Sequence, residues 1–595
     1  MRRLLLFSFL LAASAQSPAP LQPTIESADQ AAFNSDFATA RRLYASVAKQ
    51  ASDPKDRDRA EVTLANIEWR IDANLSAART RLDALETSDA LIERSRLERE
   101  SGRFAEAEWF ARKAIGIATK PDDRRSAETS LVRAIVAGHV AARLNGAPVP
   151  PSDLKEAFTV SRRLVDANRG QLVPALLLLD ASLLLGEGAS ALDAWHAYFG
   201  GTAQSTLLAP AAATLENTLP KWHGAPSPEI AAALAASRLF DEAVLAGAKG
   251  DVDTYAKYIR RVKALTDSYY RDVANHRANA RSYRKSLERE TRAVYDALHI
   301  PWDRKAIEGG PDTPLGARFG SVIAAGKTGD TFNLHFGHCV VDDRRKVTQY
   351  GRSAPIRYIL LENMVSNGFE TWSWDGGAEH GGWGDVGLIV QVRRAYAGDP
   401  ITKWRRAMDP DARAEEDEKI EKETAADWKR AAADPAGFLP GLQRRMSRDA
   451  ALRLVHELRA KGLQGDALHD AFVAEYAWRV NESSIFAHEG RHAIDAQFKP
   501  VNSAQAEFQA KLSEIAFAPD PALALTGGII TSNIGSSSPH GVANGRIMKG
   551  LVAWMTAHKG EIAGLDATQP LLPQLDKLTA DQLRAAARSM DPYAK

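Results

Sequence analysis

The chain has almost no cysteine, no excess of charge of either sign and, past its first fifteen residues, no long apolar run. Its single cysteine, Cys339, excludes an intramolecular disulfide, so stability in an oxidising compartment has to come from packing and from any bound metal. A buried, inert thiol is expected. With 76 Lys plus Arg against 75 Asp plus Glu, no global charge imbalance points to nucleic acid or to an acidic membrane surface. No segment after the N terminus is long and apolar enough to be expected to span a membrane. What the chain does have is length and apolar content: 595 residues at 45% hydrophobic exceed what one core supports, so about two to four domains are expected.

Met1-Arg-Arg, the apolar stretch Leu4 to Ala13 and the small residues Ala13-Ser-Ala15 read as a signal peptide over 1–15, which makes an exported, soluble, periplasmic or extracellular protein the expectation. From 24 to 300 the sequence is Ala- and Leu-rich, helical by period and without a strand pattern. Within it Phe33-Asn-Ser-Asp-Phe-Ala-Thr-Ala-Arg-Arg-Leu-Tyr44 and Glu100-Ser-Gly-Arg-Phe-Ala-Glu-Ala-Glu-Trp-Phe110 share a polar turn, an aromatic and small residues at helical spacing. These segments resemble tetratricopeptide repeats. Phe37 and Phe104 lie 67 residues apart, close to twice that repeat's roughly 34, with Ala73-Asn-Leu-Ser-Ala77 as a degenerate turn between them. An N-terminal α-helical repeat solenoid follows from the resemblance, with a concave face suited to an extended peptide or a protein partner. A single polar helix is expected from Asp253 to about Leu298.

Composition changes at Ile307-Glu-Gly-Gly-Pro-Asp-Thr-Pro314, and 301–316 reads as a linker. Over 317–400, strand patterns at Thr331–Val341, Ile356–Glu362, Glu370–Trp374 and Val386–Val392 predict a small sheet. Helical patterning returns over 401–595: one or two helices between Ser447 and Val480, then a Gly/Ser-rich loop from Gly527 to Gly545 leading into a helix from Arg546 to His558. The whole reads as multidomain and mainly α, with a repeat region followed by an α+β domain.

The most informative stretch is Ile485-Phe-Ala-His-Glu-Gly-Arg-His-Ala-Ile-Asp495. On a helix His488 and His492, four apart, share a face and can converge on one metal, with Glu489 beside the open coordination position. This His-Glu-x-x-His layout resembles the zincin metallopeptidases. The resemblance implies Zn²⁺ held by His488 and His492, with Glu489 as general base. The metzincin version would need a third ligand six residues after His492, where Phe498 stands, so the resemblance points to the gluzincin branch, whose third ligand is a glutamate on a following helix. Lys499-Pro500 should end the motif helix, and Asn502 or Ser503 can cap the next, Ala504 to Phe517. That helix carries Glu507 and Glu514, seven apart on one face and roughly 10 Å from each other. Glu507, which begins Glu-Phe-Gln-Ala, is similar to the gluzincin ligand run and is the preferred third ligand, with Glu514 the alternative. Lys511 replaces an aspartate found in some of these families, so Asp495 is the candidate to hold a ligand imidazole by its other ring nitrogen.

Other candidates carry less. Glu370 to Trp383, with three tryptophans, reads as an aromatic sheet core or a substrate-gripping flap. His335 and His338 fall on opposite faces of a strand and do not make a metal pair. His540, in a loop after the presumed third ligand, is either a solvent-exposed residue or, by the gluzincin resemblance, an oxyanion or substrate contact. Ser536-Ser-Ser538 lacks the surroundings of a serine nucleophile. The expected function is an exported zinc metallopeptidase acting on a peptide or protein substrate. Its rivals are a non-catalytic, repeat-based binding or assembly protein of the cell envelope and a zinc hydrolase of cell-wall amide bonds.

Overall fold

The structure, a computed structural model, describes residues 23–594 apart from 34–35, 145–150, 168–170, 200–206, 225–226, 238–248, 304–311, 320, 329–330, 367–381 and 499–501. The expected signal peptide, most of the linker core and the Trp-rich segment up to residue 381 lie outside that set. The described chain is mostly helical with a small sheet. No described helix is long and apolar enough to cross a membrane.

Two compact units divide it. The first takes 1–341, 360–381 and 392–395, and the second takes 342–359, 382–391 and 396–595. Strands Thr331–Gln349 and Arg352–Ser366, both longer than the pattern predicts, run through the division. The sheet has strands β1 (Ser321–Thr328), β2 (Thr331–Gln349), β3 (Arg352–Ser366), β4 (Gly382–Asp385) and β5 (Leu388–Val392), in the order β1-β2-β3-β5-β4. β1 pairs antiparallel with β2, Ser321 opposite His338, and β4 antiparallel with β5, Gly382 opposite Gln391. The extra length of β2 is the charged run Asp342 to Lys346, which hydropathy does not mark as strand. At its end Tyr350 and Gly351 both take positive φ (49° and 75°), the backbone of a two-residue hairpin that matches strand twist.

In the first unit, helices follow one another from Ile25 to Phe199. Phe37–Gln50 and Phe104–Ile117 bury corresponding positions, Ala40, Tyr44 and Val47 in one and Ala107, Ala111 and Ala114 in the other. Gly102 and Ala73 turn the chain with positive φ. The polar stretch expected as one helix is two, Asp251–Ala274 and Ala280–Ala297. The break lacks Gly and Pro; His276 adopts φ 55° and the Asn279 side chain accepts from Ser282 N to start the second helix.

In the second unit, Pro440–Ala460, Gly465–Val480, Ser503–Phe517 and Pro539–Ala557 surround a core that includes Leu442, Leu454, Phe472, Leu512, Ile547 and Leu551. A π-helical turn, Asn481–Ala487, leads into the short motif helix His488–Asp495. Asn502 caps Ser503–Phe517 by accepting from Gln505 N. The last long helix starts at Pro539, seven residues before the expected Arg546, because Ser538 accepts from Gly541 N and proline suits the first helical position.

Candidate metal centre

The motif helix is seated on the tip of the β2–β3 hairpin. Gln349 Nε2 donates to the carbonyl of Ala487, one residue before His488, at 2.7 Å, and Gln497 Nε2 donates to Ser353 O at 3.1 Å beyond the helix's other end. Between them the helix lies so close to β2 that a Cβ on Gly490 would stand 2.5 Å from Val347 Cγ1 and 3.0 Å from its Cβ. Glycine inside His-Glu-Gly-Arg-His is thus set by contact with the strand.

From this helix the two histidines turn their Nε2 atoms toward each other at 3.1 Å. Glu507, on the first turns of Ser503–Phe517, brings Oε2 to 3.5 Å from His488 Nε2 and Oε1 to 3.5 Å from His492 Nε2. Zinc bonds of about 2.0–2.2 Å at tetrahedral angles separate ligand atoms by about 3.3 Å, so each Glu507 oxygen stands near that spacing from one of the two ring nitrogens. Glu507 Oε2 is buried without a hydrogen bond of acceptable geometry, although His540 Nδ1 is 2.9 Å away off the favoured line. Burial pushes the Glu507 carboxyl up, but the His492 and His540 rings and the charge of His488 outweigh it and hold the group well below the usual carboxylate range. A buried carboxylate held ionised and two facing imidazole nitrogens form a donor set that fits Zn²⁺.

Glu514, two turns after Glu507, binds the other side of the same ring: its Oε1 pairs with His488 Nδ1. The two glutamates on one helical face therefore grip opposite nitrogens of one imidazole. Burial works against a charged His488, yet Glu514, Glu489 and Glu507 together raise its basicity. The role expected of Asp495 thus falls to Glu514. Asp495 instead accepts from Arg491 Nε at 2.8 and 2.9 Å, because residues 491 and 495 share one side of the helix and a wholly buried guanidinium needs a counter-charge. Arg491 Nη1 also donates to the fully buried Asp591 at 2.6 Å and to Ser513 Oγ at 3.3 Å, tying motif, glutamate helix and C-terminal segment together. Tyr593 is held between guanidinium groups, Arg352 3.6 Å and Arg491 4.1 Å from its ring. Lys511, where some gluzincins have an acid, donates to Gly528 O at 2.8 Å.

Glu489 is half-buried and, among the described residues, has no protein hydrogen-bond or ion-pair partner, so its carboxylate is available to a ligand. His540 stands not in a loop but in the first turn of Pro539–Ala557, its side chain 55% exposed beside Glu507. Sequence reasoning missed Tyr396, which is 42% exposed. Burial raises its hydroxyl above the usual range, a hydrogen bond from Gln391 opposes this, and the negative charge of Glu489 adds to it. Among the described residues, His488, His492 and Glu507 are the group placed to share a metal ion, their ligand atoms all within 4.8 Å. His338 is buried in the first unit and takes no part.

No protein-family model, curated protein or solved structure matches the chain.

Proposed function

We propose that this chain is an exported zinc-dependent metallopeptidase, with a zincin-like catalytic arrangement in the C-terminal part and a tetratricopeptide-like solenoid over 24–300 that binds substrate or a protein partner. The observation that carries the reading is the convergence of His488 Nε2 and His492 Nε2, 3.1 Å apart, on the Glu507 carboxylate, whose Oε2 is 3.5 Å from the first and Oε1 3.5 Å from the second. When bound, zinc supplies Lewis acidity toward water and a carbonyl oxygen. The protein residues do the rest. Glu514 keeps the proton of His488 on Nδ1, which leaves the Nε2 lone pair free for a metal. Glu489, without a partner among the described residues, accepts a proton from the attacking water and delivers it to the leaving amine. Tyr396 and His540, both partly exposed, are the donors available to a substrate carbonyl.

The test is zinc content and peptidase activity measured on one preparation of the mature protein. About one zinc per chain, lost in His488→Ala and His492→Ala, is expected together with hydrolysis of casein. A chain that stays metal-free after refolding with zinc would remove the basis of the reading. Turnover of peptidoglycan with none of casein would move it to cell-wall amide bonds.

A further inference from the structure

The second unit holds a cavity of about 210 Å³ lined chiefly by residues of Arg393–Met408 and Pro440–Ala460. Lys403, Arg406, Arg444 and Arg448 line it, against one lining carboxylate, Glu416. Their partners are unequally shared. Arg448 is neutralised by Asp417 and Asp449. Glu416, buried, accepts from Arg444 Nη1 at 3.0 and 3.2 Å and lies 3.6 Å from Arg406 Nε, so a single negative charge serves two guanidinium groups. Lys403 is half-buried and donates to the hydroxyl of Ser447 at 2.8 Å, yet among the described residues no carboxylate comes within ion-pairing distance of it. Burial lowers the Lys403 ammonium from its usual range; the charge of Asp399 opposes this, Arg406 lowers it further, Glu416 opposes in turn and Arg444 adds to the lowering. Three cations with one carboxylate between them leave the cavity with an excess of positive charge that an anion would offset, most of all at the half-buried Lys403.

The geometry points to a binding site for a phosphate-type oxyanion in this cavity, held by Lys403, Arg406 and Arg444 with the Ser447 hydroxyl as a neutral donor. A tetrahedral oxyanion offers acceptors in several directions, which suits cations arriving from two helices better than a flat carboxylate does. The volume is several times that of a water molecule, about 30 Å³, so a phosphate group fits with a small organic substituent or with water. The site is separate from the proposed zinc ligands and stands whether or not the peptidase reading does.

Titration calorimetry of the full zinc-loaded protein at low ionic strength tests it, with inorganic phosphate in one arm and glycerol 3-phosphate in the other. One saturable site per chain is expected, tighter for the ester if a small phosphorylated metabolite is the natural ligand and tighter for the ion if phosphate itself is. Lys403→Gln and Arg406→Gln should each weaken binding about tenfold, the loss of one charge-assisted hydrogen bond, with zinc content unchanged. Arg406 is 44% exposed at its side chain, so its variant is expected to fold even if burial makes Lys403→Gln unstable. Absence of saturable binding in both arms, or wild-type affinity in Arg406→Gln, would overturn the assignment.

Discussion

At the scale of single residues, the proposed centre separates the proposed ligands from the groups that hold them. Glu514 reaches His488 Nδ1 whereas Asp495 is bound to Arg491, so the two acids should behave differently. Glu514→Ala is expected to lower zinc affinity about 10- to 100-fold, the usual cost of losing a carboxylate behind a ligand histidine. Asp495→Asn should leave zinc affinity near that of the unmutated protein. Competition with a chromophoric chelator measures both, and equal losses would contradict the assignment. Glu489→Gln keeps shape and helix tendency while removing the base; turnover should fall about 10² to 10⁴-fold with zinc retained. Full activity in a zinc-loaded variant would exclude that role. The pattern His488-Glu489-xx-His492 was legible because helical spacing alone puts the histidines on one face. Which glutamate met which nitrogen was not legible, because Glu507 and Glu514 share a face and the crossing of two helices decides between them.

At the scale of elements, the motif helix is short, eight residues, and is held from outside itself. Gly490 allows it to rest on Val347. Alanine in place of glycine gains about 1 kcal/mol of helix propensity, while overpacking costs about 1 to 3 kcal/mol. Val347 Cβ is itself in the way and cannot rotate aside, which favours the upper end of that cost, so Gly490→Ala should destabilise the second unit by up to about 2 kcal/mol net, read as a lower urea midpoint at unchanged slope. An unchanged or raised midpoint would mean that helix and strand are not so close. Arg491 and Asp591 form a pair with no exposed side-chain surface. Asp591→Ala should cost up to about 3–5 kcal/mol, with the lower end favoured because Asp495 still faces the guanidinium. Denaturant titration checks it; a loss below about 0.5 kcal/mol would show that the pair does not anchor the helix. Asp591 lies 100 residues from Arg491, and nothing local in either segment announces the contact.

At the scale of the whole molecule, the proposed ligands all belong to the second compact unit, so metal should stabilise that unit alone. Removing zinc with a chelator is expected to lower the calorimetric transition of this unit, by as much as about 4 kcal/mol in stability if free zinc had stood at 1,000 times its dissociation constant. A transition from the helices between residues 24 and 300 should stay where it was. Equal shifts of every transition would place the metal's stabilising effect beyond the unit that carries its proposed ligands.

What the sequence determined by itself was local: helical period over the first half, the paired histidines with their glutamate, a cap at Asn502 or Ser503, and a small sheet ahead of the motif. Each depends on neighbours within about two turns, where spacing and side-chain chemistry are enough. Tertiary structure decided the rest. The charged run of β2 became strand by pairing, His540 came beside Glu507 because Ser538 and Pro539 started a helix early, and Asp495 turned to Arg491 because a buried guanidinium takes the nearest carboxylate on its own side. Such outcomes arise from burial of charge and from the close approach of elements distant in the chain, and neither quantity exists until the chain has folded.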